Sequence, residues 1–361
     1  MSSSPYERLA ATLDKLPNGF THIEDGTHLR VLEWIFTPEE ADLASKMKAR
    51  GETAEELSTR IAIPLEGLVD KLEAMAKKGQ IRAWDSSTGR RYALLVFIGG
   101  IWEEQMGRAD EEFAELVEQY FQKGRGDGLF TTEPPIFKVI PVNRAVKAEL
   151  EVYPYEVAEK ILESAKSWGL RECACKNHKG ILGEQCKYPT SVCLLIAPRR
   201  ENAYDDDPLT KPISKDEAIR ILHQAEEDGL IHCSMNAQKG HSYICNCCTC
   251  CCTMLRGAAE WGQPHAFLKS DYFANVDDST CTGCESCIDR CQFDALSIVD
   301  DLCQVDHVRC VGCGVCSVVC PENALSLILR DPSERTTPPE SLWEWTKAKV
   351  RARGVDYTDL V

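Results

Sequence analysis

Apolar residues recur at helical spacing through the first third of the chain. In HLRVLEWIF, Leu29, Leu32, Ile35 and Phe36 share a face, and TPEEADLASKMKAR opens with Thr37, Pro38 and Glu40, a capping box with proline in the first turn. The same Thr-x-x-Glu signature at Thr53 and Glu56 starts TAEELSTRIAI, and PLEGLVDKLEAMAKKG places Leu65, Leu68, Leu72 and Met75 on one stripe before Gly79. QIRAW and RRYALLVF, separated by DSSTG, have the composition of a hairpin. A further amphipathic helix is predicted over 101–125, ending at the glycine-rich GRGDG, and a proline-broken linker, TTEPPIFKVIPVNRA, follows it. Beyond the linker, YPYEVAEKILESAKSWG predicts a helix over 153–169. SKDEAIRILHQAEEDGLIH predicts a second, capped by Ser214 with Glu217, stopped at Gly229 and running into a short strand.

Composition changes this picture at one point. A chain of 361 residues can bury a core in each of two or three domains without covalent staples, so its 20 cysteines need another explanation. The start MSSSPYERLA has no secretory pattern, and no apolar run reaches the roughly 18 residues of a membrane span, YALLVFIGG at 92–100 being the nearest approach. The expectation is a cytoplasmic protein, where thiols stay reduced and dense cysteine usage points to metal. The net charge of −16, from 57 acidic and 41 basic residues, opposes nucleic-acid binding through bulk electrostatics.

The strongest motif lies at 281–321. Cys281, Cys284, Cys287 and Cys291 are spaced C-x2-C-x2-C-x3-C, and Cys310, Cys313, Cys316 and Cys320, followed by Pro321, repeat that spacing 29 residues later. The flanks repeat as well, Gly283 with Gly312, Ala295 with Ala324 and Leu296 with Leu325, which implies a duplicated unit. Three thiolates so spaced can wrap one corner of a cubane, whereas zinc ribbons use paired C-x2-C knuckles. The segment over about 270–330 resembles the bacterial two-cluster ferredoxin, a small α+β fold. That resemblance implies that Cys281, Cys284, Cys287 and Cys320 hold one 4Fe-4S cluster and that Cys310, Cys313, Cys316 and Cys291 hold the other. Gln292 stands where the resemblance expects a proline, and its restored amide is a candidate hydrogen bond to sulfur. Cys303, between the motifs, reads as a packed small hydrophobe. Carboxylates such as Asp277, Glu285, Asp289, Asp300 and Asp301 make this part acidic, which suits docking on a basic redox partner.

Ten of the remaining cysteines fall in two groups. Cys173, Cys175, Cys186 and Cys193 lie on a loop-rich stretch; Cys245, Cys247, Cys248, Cys250, Cys251 and Cys252 crowd into YICNCCTCCC. Adjacent cysteines of an extended chain point to opposite faces, so the second group cannot all reach one cluster unless the backbone curls. The two groups are expected to combine around one or two further iron-sulfur clusters, with no preference among the five cysteines of 247–252. Cys233 reads as packing, and His178 as a solvated surface residue. This middle segment resembles a family of anaerobe proteins described only as 4Fe-4S ferredoxin-type proteins, and more distantly the cysteine-rich domains of heterodisulfide reductases.

The predicted organisation is α+β and multidomain. Residues 1–130 form a helical domain whose helix, helix, helix, hairpin order resembles a winged helix-turn-helix. A cysteine-rich α+β domain spans 131–265, a ferredoxin-like domain 266–332, and a tail 333–361. The tail is read as a terminal helix docked through Trp343 and Trp345. No dinucleotide fingerprint, phosphate loop or nucleophilic triad is present, so no catalytic residue is assigned. The functional expectation is relay of single electrons to a partner oxidoreductase. The alternatives are a redox- or iron-sensing regulator that binds DNA through the winged helix, and a reductase with a special cluster in the middle domain. Against the regulator, Glu66, Asp70 and Glu73 make the candidate recognition helix acidic, where phosphates favour a basic one.

Overall fold

The computed structural model describes residues 3–147 and 152–358 and is a mixed α+β structure. The chain divides into two compact units, one of residues 1–133, 181–183 and 346–361, the other of 134–180 and 184–345.

The first unit is built on capped helices. Ser4 closes a capping box on α1 (Pro5–Asp14), a helix the apolar spacing had not announced. It is followed by α2 (Thr27–Ile35), α3 (Pro38–Ala44) and α4 (Ala54–Ile61), with the expected boxes present at Thr37 and Thr53. The next helix, α5 (Leu68–Lys77), starts later than the stripe suggests. Gly67 takes a left-handed conformation before it, so Leu65 leaves the stripe and stays 41% exposed while Leu72 and Met75 are fully buried. Strands β1 (Ile81–Ser86) and β2 (Gly89–Leu94) form the expected antiparallel hairpin. The helix expected over 101–125 is two: α6 (Trp102–Glu104) and α7 (Glu111–Gly124), the second capped by Asp110, whose side chain accepts from the Phe113 N–H and so favours a fresh start there.

The second unit carries a six-stranded antiparallel sheet in the order β3-β7-β8-β5-β4-β6. Its strands are β3 (Phe137–Val139), β4 (Ser167–Glu172), β5 (Ser191–Ala197), β6 (Thr210–Ile213), β7 (Ile231–Met235) and β8 (Tyr243–Cys247). Helix α8 (Ala158–Glu163) is all that forms of the long helix expected over 153–169. The SWG end instead enters β4, where Trp168 and Leu170 pack against the core of Leu194, Ile196, Leu222 and Ile244. The CACK segment likewise forms a helix, α9 (Ala174–Ile181), and not a loop; His178 on it is buried at 2% exposure and not solvated. Helix α10 (Lys215–Asp228) has the Ser214 cap and the Gly229 stop, and α11 (Thr253–Ala259) follows the cysteine stretch.

Two small ladders complete this unit. β9 (Tyr272–Val276) pairs with β12 (Leu325–Leu329), and β10 (Leu296–Val299) pairs with β11 (Leu302–Val305) through a tight turn in which Asp300 and Asp301 both have positive φ. A shift of 29 residues carries β9 onto β11 and β10 onto β12, so the repeat seen in the cysteines is a repeat of structure. The C-terminal helix is α12 (Leu342–Arg353). Trp345 is buried and donates to the Pro135 carbonyl, whereas Trp343 is half exposed. Within the first unit the basic stretch is an anchor too, with Lys349 donating to the carbonyls of Leu129 and Thr132 and Arg353 to those of Asp14 and Leu16.

Candidate metal centres

The duplicated motif lines two cavities that open to solvent. The first is lined by Cys281, Cys284 and Cys287 together with Cys320 from the other motif; the second by Cys310, Cys313 and Cys316 together with Cys291. Each motif therefore gives three thiols to one cavity and its fourth to the other. Backbone amides turn toward these sulfurs, Cys303 N–H to Cys281 Sγ and Ala274 N–H to Cys310 Sγ, both at 3.5 Å, which are the same bond displaced by 29 residues. The wrapping loops approach the strands so closely that a side chain is excluded. A Cβ at Gly283 would lie 2.4 Å from the Asp301 carbonyl oxygen, and one at Gly312 would lie 2.1 Å from that of Tyr272, both glycines having positive φ. Four thiols around a cavity, with amides aimed at the sulfurs, fit a cubane iron-sulfur cluster in each place.

The family model for the 4Fe-4S binding domain matches residues 274–297 and 304–326, one match for each half of the repeat. Residues 274–326 are a dicluster 4Fe-4S binding segment of the ferredoxin type. No curated protein and no solved structure matches the chain.

The two halves of this ferredoxin segment differ in side chains that touch ligand positions: Ser286 Oγ lies 3.5 Å from Cys284 Sγ where the second half has Val315, and Cys303 meets Cys287. Cys303 is buried, as expected of a small hydrophobe, but its Sγ lies 3.6 Å from Cys287 Sγ; the equivalent position beside Cys316 is Ala274, which has no thiol. The contact with Cys303 pulls the Cys287 thiol down to about 7, while Cys303 itself is pushed up, so that with Cys287 bound as a thiolate the shared proton stays on Cys303. A proton held toward a ligand sulfur withdraws negative charge from it and raises the cluster potential. Cys303→Ala should therefore lower the potential of the adjacent cluster by about 20–40 mV, one weak hydrogen bond of roughly 0.5–1 kcal/mol on a one-electron couple, and leave the other unchanged. A redox titration followed by EPR reads both; equal shifts would contradict the assignment.

Gln292, where the second half has Pro321, acts through its side chain. It accepts from the Thr249 N–H at 2.9 Å and donates to the Gly229 carbonyl at 2.6 Å, tying the ferredoxin segment to the cysteine-rich loop.

The ten other candidate cysteines separate into two groups that do not follow their order in the chain. Cys186, Cys248, Cys250 and Cys251 bring their sulfurs within 4.8 Å of one another. The remaining six form a ring of neighbouring thiols. The Cys175 thiol interacts with those of Cys173 and Cys252, Cys247 with those of Cys252 and Cys245, and Cys245 with that of Cys193, whose charge reaches Cys173 to close the circle. Sheet geometry explains the ring. Cys245 and Cys247 are two apart on β8 and so share a face, and Cys233 is the cross-strand partner of Cys245 on β7. Residue 193 on β5 lies one step beyond the Leu194–Ile244 pair, which sets it opposite Cys245. Amides at the starts of α9 and α11 favour the thiolates, that of Lys176 acting on Cys173 and that of Thr253 on Cys175.

Cys233 is fully buried, as a packed residue would be, and sits beside the ring. Burial pushes its thiol up to about 11 against the opposing effect of the Cys247 thiol, and the charge of Cys313 reaches it. The Cys175 thiol and burial push Cys173 well above its ordinary value, and the Cys233 thiol raises Cys247 to about 12. The one signal in the sequence for Cys233 was its place on a strand beside a strand with cysteines at alternate positions.

Proposed function

We propose that the chain relays single electrons through three iron-sulfur clusters. Cys281, Cys284, Cys287 and Cys320 hold the first, Cys310, Cys313, Cys316 and Cys291 the second, and the six-thiol ring of Cys173, Cys175, Cys193, Cys245, Cys247 and Cys252 a third. The observation that carries this reading is the crossed lining of the two cavities, two complete thiol quartets in one small segment. Cys233, which interacts with Cys247 of the ring, also feels the charge of Cys313, and this supports an order with the second cluster between the first and the ring. Cys284 is exposed, so the first cluster offers the surface edge, flanked by Glu285 and Glu322. A basic redox protein is the partner that this edge suits.

The first unit fits a winged-helix docking module better than a DNA reader. Several of its bases are taken up by its own acids: Arg90 pairs with Glu73 at 2.9 Å, Arg91 with Glu56 at 3.2 Å and Arg60 with Glu52 at 2.6 Å. A surface that neutralises itself releases few counterions from a phosphate backbone. No described helix is long and apolar enough to cross a membrane. So many thiols call for a reducing, oxygen-poor setting, which supports a cytoplasmic place in an anaerobe.

The test is anaerobic iron and sulfide analysis with electron transfer to cytochrome c as a basic probe. About twelve irons per chain are expected, and a transfer rate that falls with salt and falls again in Cys284→Ala. Eight irons would remove the third cluster from the proposal, and a rate indifferent to Cys284 would sink the relay.

A further inference from the structure

The sulfurs of Cys186, Cys248, Cys250 and Cys251 are too close together for a cubane. In a cubane four irons and their sulfides stand between the ligands, which spreads the cysteine sulfurs to roughly 6 Å. Around a single tetrahedral ion with metal–sulfur bonds of about 2.3 Å, the sulfurs lie about 3.8 Å apart. The separations here are 3.7 Å for Cys186–Cys248, 3.9 Å for Cys186–Cys250 and 3.6 Å for Cys250–Cys251. We infer that these four cysteines hold one tetrahedral metal ion of the zinc type, a site separate from the electron relay.

The chain around the site is arranged for a closed structural centre. Three ligands come from one turn, held by the Cys252 N–H donating to the Cys248 carbonyl at 3.0 Å, and the fourth arrives from the loop before β5. Four thiolates around a divalent ion leave a net charge of −2, and Lys187, next to Cys186, has its ammonium 5.1 Å from the ring centre of Tyr188, a residue that feels the charge of Cys248 and Cys250. The same turn is flanked by Cys247 and Cys252 of the ring and carries Thr249, which binds Gln292. An ion here fixes the turn that delivers two ring thiols and one tie to the ferredoxin segment.

The full-length protein, purified without oxygen, should contain one zinc per chain, and absorption at the zinc edge should show a shell of four sulfurs near 2.3 Å. Cys250→Ser, at the exposed ligand, should lose that zinc while keeping all the iron of the unaltered protein. Cobalt taken up in its place should give the intense ligand-field bands of a tetrahedral thiolate centre. One iron in the same four-sulfur shell would also support the single-ion geometry and name iron as its occupant. Loss of about four irons in Cys250→Ser, or four thiols freely alkylated in the native metal-loaded protein, would overturn the assignment. None of these outcomes depends on whether electrons are relayed.

Discussion

Cys281→Ala and Cys320→Ala, combined in one chain, should damage no more clusters than either change alone, although the two residues lie in different motifs. Both line the first cavity, so the second substitution strikes a cluster that has already lost a ligand. Cys281→Ala with Cys310→Ala should instead damage both clusters, since Cys310 lines the other cavity. The reduced protein reports this directly. Two neighbouring paramagnetic cubanes give an interaction-split EPR spectrum, and the loss or opening of one leaves the simple spectrum of the other. The first double variant should keep that simple spectrum; the second should lose it. If instead each motif fed only its own cavity, Cys281→Ala with Cys320→Ala would abolish both signals. Stability should follow the same partition. Cys287, Cys310 and Cys316 are counted in one hydrophobic core with Tyr272, Val315 and Leu327, so a lost cluster also opens a cavity in that core. Metal binding is folding energy where ligands are gathered from separate segments, and each damaged cluster should cost several kcal/mol in anaerobic urea unfolding.

The ferredoxin segment was legible because its ligands are local. Spacing of two and three residues fixes which thiols can share a cubane, and the 29-residue repeat recurs in β9 and β11, in β10 and β12, and in Gly283 and Gly312. The middle cysteines were legible only as metal-binding material. Their division into a tetrathiolate and a ring depends on the sheet order β7-β8-β5-β4, which sets Cys233, Cys245 and Cys193 side by side, and on the chain leaving β8 after Cys247. From that point alternation no longer holds. Cys248, Cys250 and Cys251 turn to one site while Cys252, at the start of α11, turns back to the other. Local propensity was reliable where side chains cap their own helix, at Thr37, Thr53 and Ser214. It failed at 153–169, where burial of Trp168 and Leu170 against the sheet overrides a helical pattern.

Lys138→Met should destabilise the second unit by about 3–5 kcal/mol, the cost of leaving buried charge without its partner. Lys138 on β3 is 1% exposed; its ammonium lies 2.6 Å from the Glu156 carboxylate, itself fully buried, and 3.6 Å from that of Asp271, the residue before β9. Three segments of the second unit meet at this group: the sheet edge, the turn before α8 and the entry to the ferredoxin segment. Adding Glu156→Gln to Lys138→Met should recover a large part of the loss, because the change removes the stranded charge and not only the attraction. The pH dependence has a definite sign. Burial pushes Glu156 up to about 6, with Lys138 opposing the rise, against 4.5 as its ordinary value. Between those values the folded chain binds more protons than the unfolded one, so stability from this residue is complete below 4.5 and is lost as pH rises through 6, by about 2 kcal/mol. Anaerobic urea unfolding of wild type and Glu156→Gln across that window measures it. The wild type should lose stability relative to the glutamine variant as pH rises, and parallel curves would show that Glu156 titrates like an exposed carboxylate.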